Sequence, residues 1–582
     1  MGAAPGVLAR ARGRKHAISS AGRAWPVPIA IQHLFAFVGY WLIVLALLSP
    51  KVRGQLGTRL LSSTPADASF FVWALRWWPH ALVGGLQPIF TTAVYAPSGF
   101  NLAWATSIPL PSVVIAPVTL AFGPFVAFNV VALLAPATAA WTAYLLCRRV
   151  TGRGLASFAG GFFFGFSTYE ALVVSAGHLN LSLVLMLPLC AYLLARRLER
   201  SLGDRAFVLW LAGALVAQAL ISTEVLATLT VAAAITIALG LLLAPADRRA
   251  IARTAGLAAL AVAVAAVMLA PFLYVAFAYP IPSKPYLATA ASARHAADVL
   301  SGLVVPGRMT WFGHGWPFHA NASKNANYLG IPLALILVLV AIMRWRSAAV
   351  RTLTAAFGVI LLLSFGSYLR IGSVSVPLPW NLIARMPLLH RAGAGRLIVF
   401  ASLIVALAVA TWAALPGRRW LRWAIVVVAG TAIVPNVGAN MWASNVTLPA
   451  FITSRAYARY LEPGETVVVI APGRQHQMYW QAASNMYFRL AGGYMGTTPP
   501  DFPHVAFARR LVGGVIEPSE GPMLRRFVAE HHVGALLVLP DAFPWAEDAL
   551  RHLIGPPIRV GGVLLYQIPP GWSSEGAPTP AP

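Results

Sequence analysis

The stretch Ser62-S-T-P-A-Asp67-A-S-F-F-V-W-A-L-R-W-W-P-His80, followed by a Pro-, Gly- and Asn-rich passage to Pro97-S-G-F-N-L-A-W-A-T-S-I-P-L-Pro111, lies between two apolar segments and sets the reading of the chain. Thr64 stands as an N-cap, Pro65 as the first helical residue and Asp67 as the third, which predicts a helix from Pro65. Phe70, Phe71, Trp73, Leu75, Trp77 and Trp78 crowd it with aromatics, which predicts a helix lying at a membrane interface, where Trp is enriched. Asp67, a carboxylate at the start of that helix, is a rare residue type in this half of the chain.

Working outward, 582 residues of which 58% are hydrophobic and 10% charged, with a mean hydropathy of +0.71, exclude an ordinary soluble domain. Apolar runs fall near 29–49, 107–123, 125–147, 154–175, 179–195, 205–222, 224–244, 254–279, 328–343, 352–369, 394–414 and 420–436. The expected fold class is a polytopic α-helical membrane protein of about 11–13 transmembrane helices. Pro109, Pro111, Pro117 and Pro124 mark 107–123 as a short re-entrant segment rather than a full crossing.

The formal charge of +26 is unevenly placed, because ten basic residues meet ten acidic ones from Gly438 onward. The excess belongs to the membrane module, which argues against a nucleic-acid binder. Arg148, Arg149 and Arg153, then Arg196, Arg197 and Arg200, Arg248, Arg249 and Arg253, Arg344, Arg346 and Arg351, and Arg418, Arg419 and Arg422 occupy every second connection. By the positive-inside rule these are cytoplasmic, as is the basic terminus 1–28, so loops 50–106, 280–327 and 370–393 face outward. The two cysteines, Cys147 and Cys190, lie in apolar segments and suggest neither a disulfide framework nor a metal site.

Beyond the membrane module (29–437) the pattern changes. Thr466-V-V-V-Ile470, Ala535-L-L-V-Leu539 and Val563 to Ile568 read as buried strands, with a helix over 518–532. Residues 438–570 are expected to form a small extracytoplasmic α/β domain, and the Pro/Gly/Ser-rich 571–582 a disordered tail. No P-loop, H-E-x-x-H or dinucleotide fingerprint occurs.

Before Gly438 the carboxylates are Asp67, Glu170, Glu199, Asp204, Glu224, Asp247 and Asp298. Glu199, Asp204 and Asp247 sit among cytoplasmic arginines as solvated partners. For the outer side two readings stay open at most positions. Asp67 is a general base or a helix-start acid favoured by the dipole. Glu224, after Ser222-Thr223, is functional or simply part of a cap. Glu170, in F-S-T-Y-E-A-L about two turns from the outer helix end, is expected to face the same cavity, and Asp298 pairs locally with Arg294. His178 and Asn180 in G-H-L-N mark the mouth of a helical hairpin, as ligands or turn residues. Lys284 in the 280–327 loop and His390, Arg391 and Arg396 in H-R-A-G-A-G-R suit a phosphate at a helix start, with headgroup anchoring as the rival.

Together, the acidic residue ahead of an aromatic helix, P-S-G-F-N-L-A-W, the Pro-rich Ser107-I-P-L-P-S-V-V-I-A-P-V-T-L-A-F-G-Pro124, C-R-R-V-T-G, G-H-L-N and R-A-G-A-G-R resemble the GT-C superfamily of integral membrane glycosyltransferases, over roughly residues 29–437. The resemblance implies inverting transfer from a polyprenyl-phosphate-linked sugar to an envelope glycan, lipid or protein acceptor, in the plasma membrane, with Asp67 as base. Glu170, His178, Asn180, Glu224, Lys284, His390, Arg391 and Arg396 would bind substrate. The family's first loop often carries an acidic pair, and here there is a single Asp67. Carboxylates are too sparse for a second cluster, so neither a metal nor another cofactor is expected. The rival classes are a lipid-linked sugar flippase, which would show paired intramembrane charges or an inverted repeat, and a non-catalytic subunit of an envelope assembly complex.

Overall fold

The computed structural model of the protein describes residues 28–278, 297–298, 310, 328–371, 374–383, 393–438, 442–473, 475–496, 498–499, 502, 504–540 and 542–572. It is a polytopic helical membrane protein with a C-terminal, sheet-containing domain. Among the described residues seven helices are long and apolar enough to cross a membrane, and Gly154–Gly165, Ile331–Met343 and Ala348–Ser364 are shorter apolar helices.

Several of the expected runs are broken where local chemistry dictates. The run 154–175 divides into Gly154–Gly165 and Thr168–Ser175, because the Ser167 side chain accepts a hydrogen bond from Glu170 N and starts a new helix. Pro271 lies at the start of Ala270–Phe277, separated from Arg248–Met268 by Leu269. The Pro-rich segment forms Pro109–Val114 and Ala116–Phe122, which together rise about 20 Å at 1.5 Å per residue, short of a ~30 Å hydrocarbon core.

The module is knitted around Pro124–Thr151, Gly154–Gly165 and Ile398–Ala414. Helices approach closely because Gly160 and Gly161 carry no Cβ: an added methyl would sit 2.7 Å from Ala406 O and 2.5 Å from Ala140 O, respectively. Asn129, fully buried in the longest helix, is satisfied on both sides of its amide. Its Oδ1 accepts from Leu61 N at 2.8 Å, and its Nδ2 donates to Leu56 O and Arg59 O at 2.9 and 2.8 Å. That pins the loop immediately ahead of the Asp67 helix.

The C-terminal domain is built on a five-stranded sheet. Thr466–Ile470 is flanked in parallel by Val533–Val538 on one side and Arg489–Leu490 on the other, while Val563–Gln567 and Ile558–Val560 extend the sheet antiparallel beyond Val533–Val538. The three strands and the helix read from sequence are present, the helix as Gly521–His531. The edge strand does not stay open: Leu490 N donates to Ala93 O, Ala96 N to Leu490 O and Tyr95 N to Gly492 O, at 2.9, 3.0 and 2.9 Å. A segment of the first loop thus extends the domain's sheet.

The aromatic helix, Pro65–Val83, is covered by this domain's Gln475–Ala483 helix. Trp73, fully buried, donates from Nε1 to Gln481 Oε1 at 2.6 Å; Tyr479 donates its hydroxyl to Pro65 O at 3.0 Å and packs edge-on against Phe125. The crowding of aromatics, read as a lipid-interface signal, arises from docking between the two parts of the chain. Both settings want a ring with one polar handle, and composition alone does not separate them.

Candidate functional site

The start of the Asp67 helix is stitched to the segment that carries His178. Ser63 N and Oγ donate to Ser175 O at 2.6 and 2.8 Å, and Thr64 Oγ1 donates to Ala176 O at 2.5 Å. Thr64 holds the N-cap position, but its hydroxyl is used for this stitch and makes no capping bond. Gly177 then turns the chain with φ +71°, close enough to Ser62 that any Cβ would overlap its side chain. His178 follows, at the N-cap of the short helix Leu179–Ser182.

These constraints bring His178 Nε2 to 3.1 Å from Asp67 Oδ2. The other carboxylate oxygen, Oδ1, accepts the hydroxyl of Tyr494 from the C-terminal domain at 2.5 Å. The hydrogen bond from His178 is the main influence holding the Asp67 carboxyl below its ordinary range; partial burial opposes it, and Tyr494 and the charges of His178 and Arg396 reinforce it. Asp67 is therefore ionised at neutral pH and can only accept, which places the proton between the pair on His178 Nε2.

Facing this carboxylate across the same pocket is Arg396, in the turn Ala394–Leu397 that opens the last long span. Glu224 holds it from behind as an ion-pair partner and also accepts from Gly393 N at 3.3 Å. Glu224 does not cap its own helix; Ser222 Oγ does, accepting from Val225 N at 3.2 Å. The pocket has a volume of about 170 Å³, and its lining also includes Asn180, Thr106, Phe70, Phe71, Met495 and Gly496. One wall thus offers a proton acceptor and another a fixed cation, an arrangement suited to activating a hydroxyl beside an anionic group.

Of the residues singled out in the sequence, Asp67, His178, Asn180 and Arg396 line this pocket, and Glu224 stands behind it. Glu170 is elsewhere: it is fully buried beside a separate small void with Phe166, Pro435 and Trp442, and among the described residues neither carboxylate oxygen has a hydrogen-bond partner. Lys284, His390 and Arg391 lie outside the described residues, as do most of loop 280–327 and the side chain of Asp298. Among the described residues no three His, Cys, Asp or Glu side chains converge as a metal-ion group. Tyr494, Thr106 and Gly496 join the pocket without having been singled out in the sequence. The run Gly492-G-Y-M-Gly496 beyond a strand is the available signal, since Gly-rich loops at strand ends in α/β domains often carry ligand contacts.

No family profile matches the sequence, and no curated protein matches it in sequence either. Solved structures do match in fold. The arabinofuranosyltransferase AftD from Mycobacteria superposes with a TM-score of 0.54 at 12% identity, over 94% of this chain and 40% of that one. The oligosaccharyltransferase AglB from Archaeoglobus fulgidus, captured with an inhibitory peptide and a dolichol-phosphate, gives 0.48 at 12% identity over 87% and 69% of the two chains. ArnT from Cupriavidus metallidurans gives 0.46 at 13% identity over 94% and 99%. The chain spans well under half of AftD, and that likeness speaks to fold alone: the protein shares the helical membrane architecture of that arabinofuranosyltransferase and carries a C-terminal sheet-containing domain.

Proposed function

We propose that the protein is a membrane glycosyltransferase that moves a sugar from a polyprenyl-phosphate carrier to a hydroxyl of an envelope glycan, lipid or protein, with inversion, on the outer face of the plasma membrane. The observation that carries this reading is the placement of an ionised Asp67 and the Arg396 guanidinium on one pocket. The fold shared with an arabinofuranosyltransferase supports it.

In this mechanism the acceptor hydroxyl gives its proton to Asp67 as its oxygen bonds to the anomeric carbon. The bond from that carbon to the phosphate oxygen breaks, and polyprenyl phosphate departs. Arg396 meets the leaving charge, joined by Lys284, His390 and Arg391 from the outer loops, and its pairing with Glu224 fixes its direction. His178 and Tyr494 hold the carboxylate without protonating it, and Asn180, on the pocket lining, bonds a sugar hydroxyl in this reading. A positioned general base contributes roughly a hundredfold to ten-thousandfold.

The test pairs purified protein in phospholipid nanodiscs with a panel of polyprenyl-phosphoryl sugars and delipidated envelope acceptors, with products read by mass spectrometry. Release of polyprenyl phosphate matched by a glycosylated product is expected for one donor. An unchanged envelope glycan and lipid-linked pool in a deletion strain, together with no donor turnover, would sink the reading. Sidedness is checked separately with Ser519→Cys, since Ser519 is exposed on the C-terminal domain. Labelling by an impermeant thiol reagent from the cytoplasmic side alone would place the site on the opposite face.

A further inference from the structure

The C-terminal domain contains a second pocket, of about 250 Å³, that the transfer chemistry leaves unused. Its position follows from the sheet topology. The chain leaves the strand Thr466–Ile470 for Arg489–Leu490 on one side, then crosses back to Val533–Val538 on the other. The direction of winding reverses at Thr466–Ile470, and the crevice beyond the carboxyl ends of such strands is where open α/β sheets bind ligands. Ala471, Gly492 and Gly493, which lie just past two of those ends, line this pocket.

Its walls are of two kinds. One is apolar: Tyr95 and Phe502, in edge-to-face contact with ring centroids 5.1 Å apart, with one face of the helix Val505–Val512. The other is polar, formed by the buried Gln477 amide, the Thr498 hydroxyl and the backbone beside the paired glycines. A pyranose has the same division, with C–H faces that pack on aromatic rings and a rim of hydroxyls. The volume falls just under the range of about 300–1,000 Å³ that holds drug-sized ligands, so it suits one ring rather than a chain.

Charge narrows the class further. Among the described residues Arg509 is the one charged side chain lining the pocket; it is exposed, and its polar partner is the Thr498 hydroxyl at 3.4 Å. Among the described residues it has no carboxylate partner, whereas the adjacent Arg510 is paired with Glu520. A guanidinium at the rim of a pocket whose described lining is otherwise uncharged is matched by a carboxylate or phosphate on the ring.

We propose that this pocket binds a single sugar residue bearing an acidic group and serves as the anchor for the acceptor glycan. The binding stands by itself; its role as acceptor anchor rests on the transfer reading. The two pockets share one loop: Gly492, Gly493 and Thr498 line the sugar pocket, and Tyr494, Met495 and Gly496 line the Asp67 pocket.

The experiment is saturation-transfer NMR on the full-length protein in phosphatidylcholine nanodiscs, with glucuronic acid and glucose as probes, for the wild type, Arg509→Gln and Asp67→Asn. Glucuronic acid is expected to bind the wild type at least about fivefold more tightly than glucose, and Arg509→Gln to weaken it about tenfold and erase the preference. Asp67→Asn is expected to bind like the wild type, which separates this pocket from the transfer site even if no transfer is found. No saturation transfer to either sugar, or a preference that survives Arg509→Gln, overturns the assignment. Arg509 is exposed on a short helix, so its substitution leaves the core intact, and an unchanged thermal midpoint verifies this.

Discussion

Tyr494 and Asp67 are 427 positions apart in the chain and share a hydrogen bond of 2.5 Å, so the C-terminal domain completes the carboxylate's environment. With His178 on the other oxygen, both carboxylate oxygens are engaged by a donor. The helix that carries Asp67 is held at one end by the membrane module, through Ser175 and Ala176, and along its length by the domain, through Trp73 and Gln481. Displacing the domain would therefore change the site without touching any residue of the membrane module.

Tyr494→Phe removes one of the donors that favour the ionised carboxylate, so the Asp67 carboxyl rises toward its ordinary value. The sign follows directly: turnover that needs ionised Asp67 is lost as pH falls through its pKa, and a raised pKa moves that loss to higher pH. The acid limb of kcat/KM is expected to shift upward in Tyr494→Phe, with a smaller loss near a pH of about 8, where the carboxyl stays ionised in both forms. An acid limb that stays in place would show that the bond has no part in setting the carboxylate's state.

Gln481 is fully buried and triply engaged, accepting from Trp73 and donating to Ala93 O and Phe488 O at 2.7 and 2.8 Å. Gln481→Leu keeps the volume but strands the buried Trp73 indole N–H and the Phe488 carbonyl, while Ala93 O keeps its bond from Leu490 N, at about 1–3 kcal/mol for each group left unsatisfied. Thermal unfolding should begin several degrees lower, and limited proteolysis should cut first in the segment around Ala93, where the first loop joins the sheet. An unchanged melting curve would mean that the docking does not depend on this hub.

Arg396 presents a guanidinium to the pocket while Glu224 holds it from behind. Arg396→Ala is expected to weaken binding of polyprenyl phosphate at least about tenfold, and Arg396→Lys to recover part of it, because a point charge lacks the two-pronged geometry. Glu224→Gln keeps an acceptor for Gly393 N but releases Arg396, so its effect should fall on turnover more than on phosphate affinity. Equal phosphate affinity in Arg396→Ala, by titration in nanodiscs, would turn attention to Lys284, His390 and Arg391.

Much of the fold is legible in the sequence because its signals are local. Apolar length marks the spans, alternate basic connections order them, and Thr466-V-V-V-Ile470 stands out as a buried strand. The breaks at Ser167 and Pro271 are hidden, because an apolar run can contain a cap or a proline that splits a helix without changing its composition. At the site, Asp67 and His178 stand out separately, one as a helix-start acid and one in a tight turn, but their pairing depends on the Ser63–Ser175 stitch. Tyr494 is out of reach for another reason: nothing local ties a domain loop to a carboxylate 427 residues earlier. Glu170 groups with the outer carboxylates by its distance from the helix end, which does not tell which side of the helix it takes.

The decisive substitution is Asp67→Asn, because it keeps size and one of the two acceptor oxygens while removing proton acceptance. If Asp67 only favoured the start of its helix, the loss would be a dipole contribution of about 0.3–1 kcal/mol, seen in the melting midpoint and hardly in turnover. The geometry argues otherwise: the carboxylate faces His178 and Tyr494, away from any capping bond. As general base it should carry roughly a hundredfold to ten-thousandfold of the rate, so Asp67→Asn should lose that much turnover with KM for the donor little changed. His178→Ala provides the comparison. It frees one oxygen and raises the carboxyl's pKa, so the acid limb of kcat/KM should move to higher pH while turnover on the alkaline side is kept, whereas Asp67→Asn shows its loss across the whole pH range. Near-normal turnover by a folded Asp67→Asn would remove Asp67 from the chemistry and leave Arg396 and the lipid phosphate as the site's defensible assignment.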